Sequence, residues 1–160
     1  MRTLLTGGVK SGKSSRALEL AEEFPAERYF LATATAFDEE MAERIRRHQA
    51  ERQGQFITIE ESCDIHLQLR NAMVVDCIPM WLNNMFFTGR EQEWEIVLDA
   101  FIAALPQDII IVSNEINMGI IPADPLSRRY GMALGIANSR LAKACDHVEL
   151  MVSGLSLRLK

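Results

Sequence analysis

The chain has 160 residues, enough for one well-packed domain and too few for two ordinary ones. With 48% hydrophobic and 24% charged residues it reads as a soluble globular protein. A net charge of −5 without a long basic tract argues against nucleic acid as the main partner, and no apolar run reaches transmembrane length.

The chain enters a strand at once, at residues 3–6, so no signal peptide or transmembrane segment is expected. That strand runs into Gly7-Gly8-Val9-Lys10-Ser11-Gly12-Lys13-Ser14, a full match to G-x-x-x-x-G-K-[ST]. Glycines permit positive φ, so successive N–H groups can turn inward onto phosphate oxygens. Lys13 then sets a point charge on the β- and γ-phosphates, and the Ser14 hydroxyl can ligate a bridging Mg²⁺. Ser14 also opens an amphipathic helix over 14–23, whose N-terminal dipole favours an anion. Strand, glycine loop and helix in this order point to nucleoside triphosphate binding.

Phe24-Pro25 stops the helix, and residues 28–33 read as a second strand with the polar exit Thr33-Ala34-Thr35. Asp38 is an N-cap candidate for a helix in which Glu39, Glu40 and Glu43 come early. Arg44, Arg46, Arg47 and Arg52 come late in it, which suits the macrodipole. Residues 56–60 alternate as a short strand, and 64–71 are expected to be helical. Residues 73–77 form an apolar run carrying Asp76, the Walker-B form of a buried strand, and we assign Asp76 to organising Mg²⁺. Helices are expected near 79–87 and 91–105, then a buried strand over 108–115. A loop over 116–125 is too apolar for a mere linker, and a long helix follows over 126–144. Residues 147–152 and 155–159, joined through Ser153-Gly154, read as a hairpin.

The alternation of strands and helices predicts an α/β, P-loop NTPase-like three-layer sandwich formed by a single domain over 1–160. Its sheet is mostly parallel, with an antiparallel C-terminal hairpin at one edge. Ligands bind such sheets at the carboxyl ends of the strands, which brings Thr33, Asp76 and Asn114-Glu115 to the edge that carries the glycine loop. The cysteines Cys63, Cys77 and Cys145 are odd in number and show no C-x-x-C spacing. They fit reduced, packed thiols in a cytoplasmic protein.

A second feature lies on the arginine-rich helix. Met41, Ile45, His48 and Arg52 fall at i, i+4, i+7 and i+11, a spacing that predicts one inward stripe. Arg44 and Arg52 lie one turn to either side of His48. Fixed positive charge disfavours imidazolium, leaving the ring neutral and nucleophilic, and the same guanidiniums would hold an incoming phosphate. Taken alone, a histidine on a charged helix is more often a surface or boundary residue. His66 and His147 have no such setting and are read as structural.

Several segments together carry a resemblance to a family. They are the glycine loop from Thr6 to Ser14, Ala32-Thr33-Ala34, Asp38-Glu39-Glu40-Met41, and the R-I-x-x-H-x-x-x-R pattern from Arg44 to Arg52. Asn114-Glu115-Ile116-Asn117-Met118-Gly119-Ile120-Ile121-Pro122 and Val152-Ser153-Gly154-Leu155 complete the set. In this order they resemble the bifunctional adenosylcobinamide kinase / adenosylcobinamide-phosphate guanylyltransferases of cobalamin synthesis. The resemblance implies phosphorylation of adenosylcobinamide by ATP or GTP. It further implies guanylylation of adenosylcobinamide phosphate by GTP through a guanylyl-histidine on His48, giving adenosylcobinamide-GDP. It also implies a nucleotide site of Gly7 to Ser14, Thr33, Ala34, Thr35, Gln49, Ala50, Glu51, Arg52, Glu60 and Asp76. A requirement for Mg²⁺ and a homotrimer with sites near subunit contacts follow from the same resemblance. The chain departs from the family in carrying Ile116-Asn117 where valine-glycine is usual, and in being short between Asn84 and Trp94.

Two other readings compete. A monofunctional P-loop small-molecule kinase would use the arginine helix only to clamp acceptor phosphate. A nucleotide switch would need a guanine-reading N-K-x-D element, and Asn114-Glu115-Ile116-Asn117 lacks both its lysine and its aspartate.

Overall fold

The structure, a computed structural model, describes residues 1–25, 27–36, 38–51, 54–116 and 118–160, apart from the side chains of Met41, Arg44, His48, Gln49 and Glu51. Seven strands form one sheet: β1 (Arg2–Gly7), β2 (Tyr29–Ala32), β3 (Ile57–Glu60), β4 (Met73–Asp76), β5 (Ile109–Val112), β6 (His147–Val152) and β7 (Leu155–Arg158). Their order is β3-β2-β4-β5-β1-β6-β7, with every pairing parallel except that of β6 with β7. The helices are α1 (Lys13–Ala21), α2 (Glu39–Glu51), α3 (Ile78–Phe87), α4 (Trp94–Ala103) and α5 (Pro125–Ala144).

The central strands are continuous apolar runs because both of their faces are covered. Alternate residues go to opposite layers. Leu4, Leu31, Met73, Val75, Ile109 and Ile111 pack with Trp81, Leu82 and Met85 of α3, Leu98 and Phe101 of α4, and Leu134 and Leu141 of α5. Leu5, Phe30, Val74, Ile110 and Val112 pack on the other face with Ala17 and Ala21 of α1. The alanines let α1 lie close to the sheet, which holds the loop before it against the ends of the strands. The three layers and the antiparallel hairpin match the sequence-based expectation.

Residues 64–71 do not. Only a 3₁₀ turn forms, Ile65–Gln68, and Asp64 makes no side-chain cap. Its carboxylate instead takes two hydrogen bonds from Arg90, at 2.9 and 3.1 Å, while the Glu61 carboxylate accepts from the N–H groups of Cys63 and Asp64. The segment is tied down by tertiary partners, and Leu69 turns to extended backbone. On α2, Ile45 is half-buried; the side chains of Met41 and His48, and Arg52 altogether, lie outside the described residues. Cys63, Cys77 and Cys145 are free thiols, as expected, and burial pushes that of Cys145 up to about 11.

One ion pair joins the start of α1 to the hairpin. Arg16 donates to both Glu149 oxygens, at 3.0 and 3.2 Å, and the Ser156 hydroxyl donates to the same carboxylate at 2.6 Å. These donors, Arg16 foremost, hold the Glu149 carboxyl below the ordinary glutamate range. A depressed carboxyl pKa contributes stability that is full above the unfolded value of about 4.3 and is lost as pH falls below it. Glu149→Gln should therefore cost about 1–2 kcal/mol at neutral pH, and about pH 3.5 should narrow the gap to the parent. Urea denaturation at both conditions measures this, and a gap that does not narrow in acid would contradict it.

Candidate nucleotide site at the carboxyl edge of the sheet

The glycine loop between β1 and α1 has the backbone that its sequence demands. Gly7, Lys10 and Gly12 have φ of 147°, 55° and 97°. A Cβ on Gly7 would meet the Met151 carbonyl oxygen of β6 at 2.3 Å, and one on Gly12 would meet Gly154 Cα at 3.3 Å. The loop is thus pressed onto the C-terminal hairpin, and Gly154 N–H closes the contact by donating to Ser11 O at 3.0 Å. On the other side Glu115 N–H donates to Gly7 O, also at 3.0 Å.

Lys13, only 7% exposed, curls back over this loop. Its ammonium donates to the carbonyls of Gly7 and Gly8 and to Ser11 Oγ. Burial lowers its pKa, while the negative ends of Cys77 and Asp76 act in the opposite direction. Asp76 stands on the same edge of the sheet as the loop.

The register shows how this arises. Glu60, Ala32, Asp76, Val112, Leu5 and Glu149 form one transverse row across the sheet. At about 4.8 Å per strand, Asp76 stands roughly 10 Å from Leu5, with β5 between, whereas Glu60 stands roughly 19 Å away. Gly7 to Ser14, Asp76, Thr33 and Ser113 to Glu115 are brought to one edge; Glu60 is placed at the far end of the row.

The remaining expected residues divide further. Thr33 is fully buried: its N–H donates to Asp76 O, and its hydroxyl accepts from Cys77 N–H and donates to Cys77 O, both at 2.8 Å. Ala34 is half-buried, and Thr35 and Ala50 are exposed. The side chains of His48, Gln49 and Glu51, and Arg52 altogether, lie outside the described residues, as does Asn117. Ser14 and Asp76, both half-buried and on the sheet edge that carries the loop, offer a hard-oxygen donor set that suits Mg²⁺ together with phosphate oxygens and water. Among the described residues no group of three or more His, Cys, Asp or Glu forms a protein-only metal cage.

Two buried asparagines were missed in the sequence. Asn84 of α3 donates to Thr33 O at 2.7 Å and to Ser62 O at 3.0 Å. Asn138 of α5 accepts from Ser113 Oγ at 2.6 Å and donates to Asn114 O at 2.9 Å. Each is a lone amide on the apolar side of a helix, and that mismatch is the signal, since a buried amide needs partners.

The geometry predicts unequal effects of two neighbouring substitutions. Gly7→Ala collides with β6 and should cost about 1–3 kcal/mol. Gly8→Ala enters open space and should stay within about 0.5 kcal/mol of the parent. Thermal denaturation distinguishes them, and equal losses would contradict the close approach of Gly7 to Met151.

Comparison with known proteins shows the family to which the chain is similar. The family model described as cobinamide kinase / cobinamide phosphate guanyltransferase matches residues 3–159. The bifunctional adenosylcobalamin biosynthesis protein CobP of Pseudomonas aeruginosa is 38% identical, over 100% of this chain and 98% of its own length. The bifunctional adenosylcobalamin biosynthesis protein CobU of Salmonella typhimurium is 33% identical over the full length of both. Among solved structures, an ATPase of a type III secretion system superposes with a TM-score of 0.53 at 11% identity, covering 98% of this chain and 56% of that one, a likeness of fold alone.

Proposed function

Because the chain belongs to the cobinamide kinase / cobinamide phosphate guanyltransferase family, we propose that it catalyses both reactions on one nucleotide-binding edge. The observation that carries this reading is the glycine loop, with Lys13 buried in it and Asp76 two strands away. In the first reaction the hydroxyl of adenosylcobinamide attacks the γ-phosphorus of ATP or GTP, and the nucleoside diphosphate leaves. In the second, a His48 nitrogen attacks the α-phosphorus of GTP and the bond to the β-phosphate oxygen breaks, releasing pyrophosphate. The phosphate of adenosylcobinamide phosphate then attacks the same phosphorus. The N–P bond breaks, adenosylcobinamide-GDP forms and the imidazole is restored.

The loop N–H groups and Lys13 hold and neutralise the phosphates in both reactions. Ser14 and Asp76 would hold Mg²⁺, which when bound screens the charge of the β- and γ-oxygens. Ala34 and Thr35, at the exit of β2, together with Gln49, Ala50, Glu51 and Arg52, would complete the nucleotide site. Glu60 would serve the end of the nucleotide farthest from the loop, as its distance along the row suggests.

The connection of α2 bears on where His48 acts. This helix leads from the carboxyl end of β2 to the start of β3, and His48 lies about 14 Å along its axis from Glu39. In the homotrimer reading, a site shared between copies of the chain would let His48 act on a nucleotide seated in a neighbouring copy. Exposed Leu155, Leu157 and Leu159 at the hairpin edge, and Met118, Ile120 and Ile121 in the loop after β5, offer apolar surface for such contacts. No helix among the described residues is long and apolar enough to cross a membrane, which is compatible with a cytoplasmic location.

Incubation with α-³²P-labelled GTP and Mg²⁺ should give an acid-labile, base-stable protein adduct. His48→Ala should abolish it while leaving γ-phosphoryl transfer measurable. An adduct of parental intensity in His48→Ala would remove the nucleophile assignment and leave the monofunctional kinase.

A further inference from the structure

Thr33 has each of its polar groups engaged with protein. Its N–H goes to Asp76 O, its hydroxyl holds both the N–H and the carbonyl of Cys77, and its carbonyl receives the Asn84 amide. Asn84, 2% exposed, uses its second amide hydrogen on Ser62 O, beyond the end of β3. Its own backbone carbonyl is held by the N–H and hydroxyl of Thr88 at the end of α3, at 2.9 and 2.8 Å. The three strand ends of β2, β3 and β4 are thereby fastened to α3 through one amide and one hydroxyl.

What this fastening sets is the backbone directly after the Asp76 side chain, because Thr33 grips Asp76 O and both polar atoms of the Cys77 backbone. We propose that Asn84 and Thr33 are positioning residues that fix the Asp76 carboxylate opposite the phosphate loop, and that neither acts by touching the nucleotide. This rests on the assignment of Asp76 to the divalent ion made above. The direction of a strand-end carboxylate follows the backbone that carries it, and an ion that demands near-octahedral geometry binds only a narrow range of directions well. Partners one step removed from a metal ligand typically change metal affinity by factors of ten to a hundred.

The test uses the full chain with a non-hydrolysable GTP analogue, and Mn²⁺ as the probe, read by electron paramagnetic resonance. Thr33→Val keeps the shape and removes the hydroxyl; Thr33→Ser keeps the hydroxyl. Thr33→Val should weaken Mn²⁺ binding to the analogue complex about tenfold, while analogue affinity without metal stays within about twofold of the parent. Thr33→Ser should restore Mn²⁺ affinity, and Asn84→Ala should weaken it in the same direction as Thr33→Val.

Parental Mn²⁺ affinity in Thr33→Val, whatever its melting temperature, would overturn the proposal by reducing the contact to ordinary packing. An equal loss of metal-free analogue affinity would overturn it in favour of direct nucleotide contact. Asp76→Asn separates the two layers of the argument. If it binds Mn²⁺ as the parent does, the metal assignment of Asp76 falls and the proposal with it. If it loses Mn²⁺ while Thr33→Val does not, only the positioning role falls.

Discussion

The structure depends on how closely the glycine loop is pressed against the C-terminal hairpin. A phosphate loop must keep several N–H groups pointing the same way without a ligand to hold them, and backbone in that shape has no internal ladder to support it. Here the support comes from neighbours. Gly7 lies against the Met151 carbonyl, Gly12 against Gly154, and Ser11 O receives the Gly154 N–H. The hairpin at the sheet edge is thus a wall of the site, and Arg16 binds that wall to the helix that follows the loop.

Around this fixed loop the sheet acts as a ruler. Parallel pairing puts the carboxyl ends of β4, β5 and β1 in register, so Asp76 and Glu115 arrive beside the loop without specific contacts having to steer them from a distance. What register cannot fix is the direction of each polar group at a strand end. That falls to single polar side chains reaching down from the helices, Asn84 onto Thr33 and Asn138 onto Ser113 and Asn114. Asn84 spends both amide hydrogens there, while its Oδ1 has no partner among the described residues. A buried amide is a costly residue to place in an apolar layer. Its presence twice, at corresponding levels of the sheet edge, argues that orientation there matters.

The parts legible in the sequence are those whose cause is local. The loop is written in eight consecutive residues, the buried strands in runs such as Ile109-Ile110-Ile111-Val112, and the hairpin in the Ser153-Gly154 turn. The segment after Asp64 misled because only a 3₁₀ turn forms there and the Asp64 carboxylate is held by Arg90, a partner far off in the chain. The roles of Thr33 and Asn84 were hidden for the same reason: the two residues lie 51 positions apart in the chain. Thr33 reads in sequence as a polar strand exit facing ligand, and only the fold shows its hydroxyl turned onto Cys77. Of the stripe expected on α2, only Ile45 has a described side chain, and it is half-buried.

The central claim is that this edge seats the triphosphate through Lys13, and calorimetric titration of GTP into the parent and Lys13→Ala proteins tests it most directly. Removal of a charge-assisted contact to the phosphates should weaken binding at least about tenfold, with the fold unchanged by circular dichroism. Equal affinity in the two proteins would contradict the account.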